Sequence, residues 1–93
     1  MEDLLWYLFA SSRGGGTRVQ IIEALLERPY NANELAESLD YDYSTIRHHL
    51  KVMADNNLVR STDQGYADVY LLTDELKAHR TELETVLETV SEG

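Results

Sequence analysis

The sequence predicts a mostly α-helical domain with a small β-hairpin (α+β), and three observations support this fold class. Apolar residues recur at helical spacing in several separated stretches of the 93-residue chain. One region near the end is instead rich in β-branched and aromatic residues and is interrupted by turn-forming residues at 63–65. The length suffices for one small hydrophobic core and not for two, so we expect a single domain over residues 1–93.

An N-terminal packing or dimer helix is predicted over residues 1–13. The glycines at 14–16 then break the helical pattern and are expected to form a hinge or turn. The apolar run of this helix is far below the ~18 residues that a membrane span needs, so no membrane segment is predicted. Its apolar positions at helical spacing are Leu4, Leu5, Leu8 and Phe9.

Capping residues mark the next two helices. Thr17 is a natural N-cap for a scaffold helix, and Pro29 ends that helix. Asn31 lies three residues before Glu34, a capping-box pattern in which the asparagine side chain accepts from a backbone amide and the glutamate reaches back. A helix over residues 32–39 is therefore predicted.

A further helix over residues 43–55 follows a tight turn. Residues 40–41 make the turn, Asp42 is expected to cap the helix, and the asparagines at 56–57 end it. This pattern is typical of a helix-turn-helix DNA-binding motif. Such a motif has two short amphipathic helices around a tight turn, and the second helix has a free hydrogen-bonding face.

The C-terminal third adds a hairpin and one more helix. Residues 58–62 and 66–72 are strand-like. Thr73, followed by acidic residues in the first turn, opens a helix over 73–91 that we interpret as a dimer helix. The order of elements is that of a winged helix-turn-helix over 17–72 with an extra helix at each end.

The helix over 43–55 has one apolar edge and one polar edge. With successive residues 100° apart, Ile46, Leu50 and Met53 share the edge that is expected to anchor the helix to the core. The other edge carries side chains that suit the major groove, where arginine binds guanine with two hydrogen bonds. The DNA-binding candidates are Tyr43, Ser44, Arg47 and His48 for base edges, Lys51 for phosphate, Thr45 on the helix flank and Arg60 at the base of the wing.

Each of these residues also has a structural explanation. Any surface helix displays such a polar set, so the functional interpretation depends on the capped helix and turn that come before it. His49 lies about 60° from the centre of the apolar edge and is expected to be a boundary residue packed against the wing. Because metal-binding histidine pairs on helices need i, i+4 spacing, the adjacent His48 and His49 predict no metal site.

Basic residues concentrate near this helix although the chain is acidic. Residues 43–60 hold Arg47, Lys51 and Arg60 against Asp55, a balance of +2, whereas the remainder holds 5 basic and 16 acidic residues. A net charge of −9 is unusual for a nucleic-acid binder and leaves open an acidic protein that binds no DNA. The favoured explanation is a halophilic surface, because at molar salt the Debye length falls to ~3 Å and acidic side chains keep the protein hydrated.

The segment YSTIRHHLKVMADNNLVR over residues 43–60 resembles winged helix-turn-helix transcription regulators of the ArsR-like type, especially archaeal ones. The resemblance extends over about 17–76 and implies a dimeric repressor or activator that binds a pseudo-palindromic operator. The matching positions are Ser44, Thr45, Ile46, His49, Leu50, Lys51, Val52, Met53, Leu58, Val59 and Arg60.

The chain departs from this family pattern in three ways. The wing carries Asp63, Gln64 and Asp68 where family members often carry arginines, which weakens the expectation that the wing contacts DNA. Asp40 occupies a turn position often held by glycine, and aspartate tolerates the left-handed conformation better than most residues. The cysteines and histidine clusters of metal-sensing members are missing, so metal sensing is not implied.

The two terminal helices show more apolar surface than a core of this size needs, which predicts a homodimer. The alternative is that both stripes pack on their own domain. A symmetric dimer sets two recognition helices about one DNA turn, or a multiple of it, apart. The candidate interface residues are Leu4, Leu5, Leu8, Leu76, Leu83, Val86, Leu87 and Val90.

Together these patterns predict a cytoplasmic, sequence-specific regulator that binds double-stranded DNA, with no cofactor and no assigned effector. A winged-helix module that binds protein instead of DNA is the alternative. It suits an acidic surface and a wing with few basic residues. An enzyme is not expected, because the chain has no cysteine, no glycine-rich phosphate loop joined to a strand, and no serine with a plausible histidine and carboxylate.

Overall fold

The computed structural model describes residues 1–62 and 68–92. It is mostly helical with one two-stranded antiparallel hairpin, which confirms the predicted fold class. The predicted turn at 63–65 lies outside the described residues. In chain order the elements are α1 (Glu2–Leu5), a π-helical segment (Trp6–Ser11), α2 (Gly15–Glu27), α3 (Ala32–Leu39), α4 (Tyr43–Asp55), β1 (Val59–Ser61), β2 (Tyr70–Leu72), α5 (Asp74–Ala78) and α6 (Arg80–Glu92).

A single core joins the helical elements, and α2 lies at its centre. Helix α2 packs against the π-helical segment, α3, α6 and β2, while α3 packs on α4. The N-terminal elements pack on α6, so the two ends of the chain meet on one side of the molecule. The largest fully buried side chains are Phe9, Leu5, Ile21, Ile22, Leu35, Ile46, Leu50, Met53, Leu58, Leu76, Leu83 and Val59.

The glycines at 14–16 form a tight corner, and the prediction that Thr17 caps α2 was wrong. Helix α2 begins three residues earlier than that cap would place it, with Gly14 as its N-cap in the left-handed region at φ 86°. A Cβ on Gly15 would lie 2.5 Å from the backbone oxygen of Phe9. The glycines therefore let α2 start directly against the preceding helix, so this segment is packed and is not a free hinge.

The helix-turn-helix forms as the capping pattern predicts. The Asn31 side chain accepts from the Glu34 amide at 2.7 Å, and Glu34 accepts from the Asn31 amide at 2.9 Å, which completes the capping box. Asp40 ends α3 in the left-handed region at φ 60° and ψ 51°. Asp42 holds the N-cap position of α4 but makes no side-chain capping hydrogen bond, so its predicted capping role was wrong in that respect.

The wing is short, and a residue from outside the predicted hairpin extends it. Val59 pairs with Leu72 and Ser61 pairs with Tyr70, so β1 and β2 are each shorter than the predicted strands. Tyr30 bridges to Tyr70 through two backbone hydrogen bonds of 3.3 and 2.7 Å. This bridge ties β2 to the segment between α2 and α3.

The predicted C-terminal helix is divided in two at His79. Thr73 caps α5 as predicted, because its Oγ1 accepts from the Leu76 amide at 3.1 Å. The amide of His79 then bonds to the carbonyl of Leu76, three residues back, and this tighter turn separates α5 from α6. Leu76 and Leu83, on either side of the break, are both fully buried.

Candidate nucleic-acid interface

Helix α4 presents its apolar edge to the core and its polar edge to solvent. Ile46, Leu50 and Met53 are at most 1% exposed, as their common face predicts. Tyr43, Ser44, Arg47, His48 and Lys51 are exposed, and Thr45 on the flank is half-buried. The domain therefore leaves the candidate DNA-binding side chains of this helix uncovered.

Arg47 is held in place by two tyrosines. Its Nη1 donates to the Tyr70 hydroxyl at 2.8 Å, and its guanidinium carbon lies 6.0 Å from the centre of the Tyr43 ring. These side chains line an open cavity of about 270 Å³ between α3, α4 and β2 together with Asn31, Asn33 and Asp68. The arrangement fixes the direction of the guanidinium while leaving it exposed.

Tyr70 and Asn33 were not among the sequence-based candidates. Tyr70 reaches Arg47 because the Tyr30 bridge and the pairing with Ser61 set the register of β2. This register depends on contacts between distant segments, so it could not be predicted from the local strand pattern. Asn33 lies two residues after Asn31, the capping residue of α3. This place in the first turn of α3 was the sequence signal that could have identified it as a site residue.

Lys51 lies one turn beyond Arg47 and forms a surface ion pair with Asp55 at 3.1 Å. The side chains of this pair are 76% and 63% exposed, so the pair is weak and the lysine can exchange it for a phosphate. Arg47 and Lys51 share a second shallow groove with Ser61 and Tyr70 of the wing. The two cations of α4 therefore lie along one continuous surface.

Arg60 is exposed but is not part of this surface. It precedes Ser61, and successive side chains of a strand point to opposite faces. Because Ser61 lines the groove beside Arg47, Arg60 lies on the other face of the wing. The structure thus groups the α4 candidates and separates Arg60 from them.

His49 is buried against the corner between the π-helical segment and α2, so its predicted packing on the wing was wrong. Its exposure is 7%, and its Nδ1 lies 3.1 Å from Nη1 of Arg18. Arginine only donates, so Nδ1 of His49 accepts and the ring is neutral. Burial lowers the pKa of His49, and the nearby charges of Arg18 and His48 lower it further.

Arg18 is a buried residue that the sequence-based candidates missed. It is 4% exposed and donates to the carbonyl of Leu8 at 2.9 Å, the carbonyl of Arg13 at 3.1 Å and the hydroxyl of Ser12. Burial lowers the pKa of its guanidinium, and Tyr7 opposes that change. Together with the contact to His49, these bonds join the end of the N-terminal helix to α4.

Most of the predicted dimer residues serve the core of the monomer. Because these residues are buried in the monomer, the apolar stripes need no second copy to explain them. Leu4 and Val90 are the exceptions, since both are partly exposed. Tyr7, 61% exposed in the π-helical segment, adds apolar surface three residues after Leu4. The predicted interface residues with at most 7% exposure are Leu5, Leu8, Leu76, Leu83, Val86 and Leu87.

Two further features are absent from residues 1–62 and 68–92. Within these ranges no helix is both long and apolar enough to cross a membrane. The same ranges contain no group of three or more histidine, cysteine, aspartate or glutamate side chains that are placed to hold a metal ion.

Comparison with known proteins connects this geometry to a family. Residues 15–61 match the family described as bacterial regulatory protein, arsR family. An uncharacterized HTH-type transcriptional regulator of Methanocaldococcus jannaschii is 31% identical over 65 residues, which are 69% of this chain and 17% of the relative. The match agrees with the resemblance in the sequence and includes α2, α3, α4 and β1.

Solved structures share the fold. A mutant of the protein ZitR of Lactococcus lactis, in complex with DNA, superposes with a TM-score of 0.60 at 24% identity, over 83% of this chain and 57% of that one. The transcriptional regulator PcaV of Streptomyces coelicolor, in complex with its natural ligand, gives a TM-score of 0.70 at 22% identity, over 96% and 66%. The chain therefore spans little more than half of ZitR.

Proposed function

The chain belongs to the arsR family of bacterial regulatory proteins, and from this premise we propose that it is a sequence-specific transcription regulator that binds double-stranded DNA. The observation that carries the proposal is the polar edge of α4, which the domain leaves exposed while the opposite edge is buried. A helix anchored in this way enters the major groove with the residues near its N-terminus.

The side chains of α4 have distinct roles in this proposal. Arg47 binds a guanine edge with two hydrogen bonds from Nε and Nη2, the nitrogens that its Nη1 bond to Tyr70 leaves free. Ser44 and His48 contact neighbouring base edges, and Lys51 contacts phosphate one turn further along. Because Tyr43 and Tyr70 already hold the guanidinium, less side-chain entropy is lost when Arg47 binds.

We further propose that the regulator acts as a homodimer on a two-fold-related operator in the cytoplasm. The partly exposed Leu4 and Val90, with the exposed Tyr7, lie on helices that pack together and offer apolar surface to a second copy. The acidic remainder of the surface supports function at high salt, where screening leaves the short-range contacts of α4 in place.

Retention of labelled genomic DNA fragments at high salt tests DNA binding. We expect Arg47→Ala to weaken binding to the retained fragments by about 1–3 kcal/mol, because one bidentate base contact is lost. Arg13→Ala is the matched control, since Arg13 is an exposed arginine outside α4 and the wing. Circular dichroism verifies that both variants keep the fold.

Two results would contradict the proposal. If the wild type retains no fragment at any salt concentration, the winged-helix module that binds protein becomes the better explanation of the acidic surface. If Arg47→Ala and Arg13→Ala weaken binding equally, a general loss of positive charge explains the effect, and α4 is not the DNA-recognition helix.

Sedimentation velocity tests the homodimer. We expect Tyr7→Glu to shift the protein from dimer to monomer, because a carboxylate placed in an apolar interface loses its hydration. Tyr43→Glu changes a tyrosine of similar exposure on the DNA side and should leave the dimer intact. A monomeric wild type, or equal dissociation of both variants, would contradict the proposed interface.

A further inference from the structure

A cavity of about 260 Å³ lies between the end of α2, strand β2 and the α5–α6 break, away from α4. Its base is formed by the buried side chains of Leu25, Leu72, Leu76 and Leu83. Leu26 and Leu71, both half-buried, extend this apolar lining towards the opening. The volume is below the ~300–1,000 Å³ of pockets for drug-sized ligands, so the cavity suits a small molecule.

The opening of the cavity is basic. Arg28, Lys77 and Arg80 line it with one acidic residue, Glu27, so that the lining residues alone carry a charge of +2. These cations are three of the 8 basic residues in a chain that has 17 acidic ones. An acidic protein thus places a large share of its positive charge beside an apolar cavity that the proposed DNA-binding surface does not include.

Lys77 and Arg80 are available to a bound anion, whereas Arg28 lies over the Tyr30 ring at 3.7 Å and donates to the carbonyl of Pro29 at 2.9 Å. Arg28 and Arg80 form ion pairs with Glu34 at 3.8 Å and Glu84 at 3.1 Å, and these side chains are 42–59% exposed. Such exposed surface pairs contribute little to stability and exchange readily. Within the described part of the chain, the ammonium group of Lys77 has no hydrogen-bond or ion-pair partner.

We propose that this cavity binds a small amphipathic carboxylate, an anion whose apolar body lies on the leucines and whose carboxylate accepts from Lys77 and Arg80. An apolar body in the leucine-lined space gains free energy in proportion to the apolar area that is removed from water. The cations select an anion over a neutral molecule of the same shape and disfavour a cation. The site does not depend on DNA binding.

Titration with octanoate, octanol and octylamine, followed by calorimetry without DNA, tests the site. We expect octanoate to bind with one molecule per chain, octanol to bind about tenfold more weakly and octylamine not to bind. Lys77→Gln and Arg80→Gln should each weaken octanoate binding about tenfold and leave octanol binding unchanged, because only the charged contacts are removed. Nuclear Overhauser contacts from octanoate to the methyl groups of Leu26 and Leu71 would confirm the location.

Arg13→Gln is the matched control, because it removes one exposed cation away from the cavity. Equal binding of octanoate and octanol, or an equal effect of Arg13→Gln, would overturn the proposal. The proposal also fails if octanoate does not bind and Lys77→Gln instead dissociates a dimer, since a second copy would then cover the cavity. Because no DNA is present, these outcomes are independent of the proposed regulatory function.

Discussion

At the residue scale, the contact between Arg18 and His49 links two parts of the domain that the sequence separates by 31 positions. Arg18 reaches backbone carbonyls near the end of the N-terminal helix, and His49 belongs to α4. Because Arg18 is always a donor, this contact requires a neutral histidine. Protonation of the ring would place two cations side by side in a buried position.

This contact predicts that stability depends on pH near neutrality. The folded-state pKa of His49 is lowered from its ordinary value of 6.5, so the unfolded chain binds the proton first as the pH falls. The contribution of His49 is therefore complete above about pH 6.5 and is lost as the pH falls towards the folded-state pKa. Urea unfolding between about pH 5 and about pH 7.5 measures this slope.

His49→Asn should reduce the slope, because an asparagine oxygen accepts from Arg18 without titrating. His48→Asn is the matched control, since His48 is the adjacent histidine and is exposed. It should keep most of the wild-type slope, because the charge of His48 is the smallest of the three causes that lower the pKa of His49. Identical slopes in the wild type and His49→Asn would assign the pH dependence to other groups.

At the element scale, short-range patterns account for most of the fold. The 3.6-residue apolar repeats and the Asn31–Glu34 capping box predicted α3 and α4 with their observed bounds, because these signals act within a few residues. The start of α2, the break at His79 and the position of Tyr70 were not predicted. Each depends on contacts with distant segments, which local propensity does not encode.

The same distinction applies to the candidate site. The wheel of α4 predicted which side chains would be exposed, since the burial of Ile46, Leu50 and Met53 determines the opposite edge. The contact of Arg47 with Tyr70 required the strand register, which the sequence left open. The terminal leucines showed an apolar surplus, but the sequence did not show whether the monomer or a partner buries it.

The corner between the N-terminal helix and α2 supplies a prediction at this scale. Gly15→Ala should lower the free energy of unfolding by about 1–3 kcal/mol, because its Cβ would overlap the backbone of Phe9 and force α2 away. Gly16→Ala is the matched control, since a Cβ there meets nothing within 4 Å and alanine favours the helix. Denaturant unfolding compares the two, and equal effects would contradict the proposed tight packing.

At the scale of the whole molecule, the charge distribution separates two basic surfaces from an acidic remainder. Arg47 and Lys51 mark one surface on α4, and Lys77 and Arg80 mark the other beside the cavity. The net charge of −9 implies repulsion among the acidic side chains. This repulsion opposes the compact state at low salt, and added salt screens it.

We therefore expect added salt to stabilise the protein. Between about 0.1 M and about 1 M NaCl the Debye length falls from about 10 Å to about 3 Å, so the gain should be on the order of 1 kcal/mol, equivalent to about 4–8 °C in Tm. A triple variant, Glu23→Gln, Glu37→Gln and Glu88→Gln, changes three exposed carboxylates and brings the net charge from −9 to −6. It should show a smaller gain, because less repulsion remains to be screened. An equal gain in both proteins would instead assign the effect of salt to stronger burial of apolar surface, which does not depend on the charge of the chain.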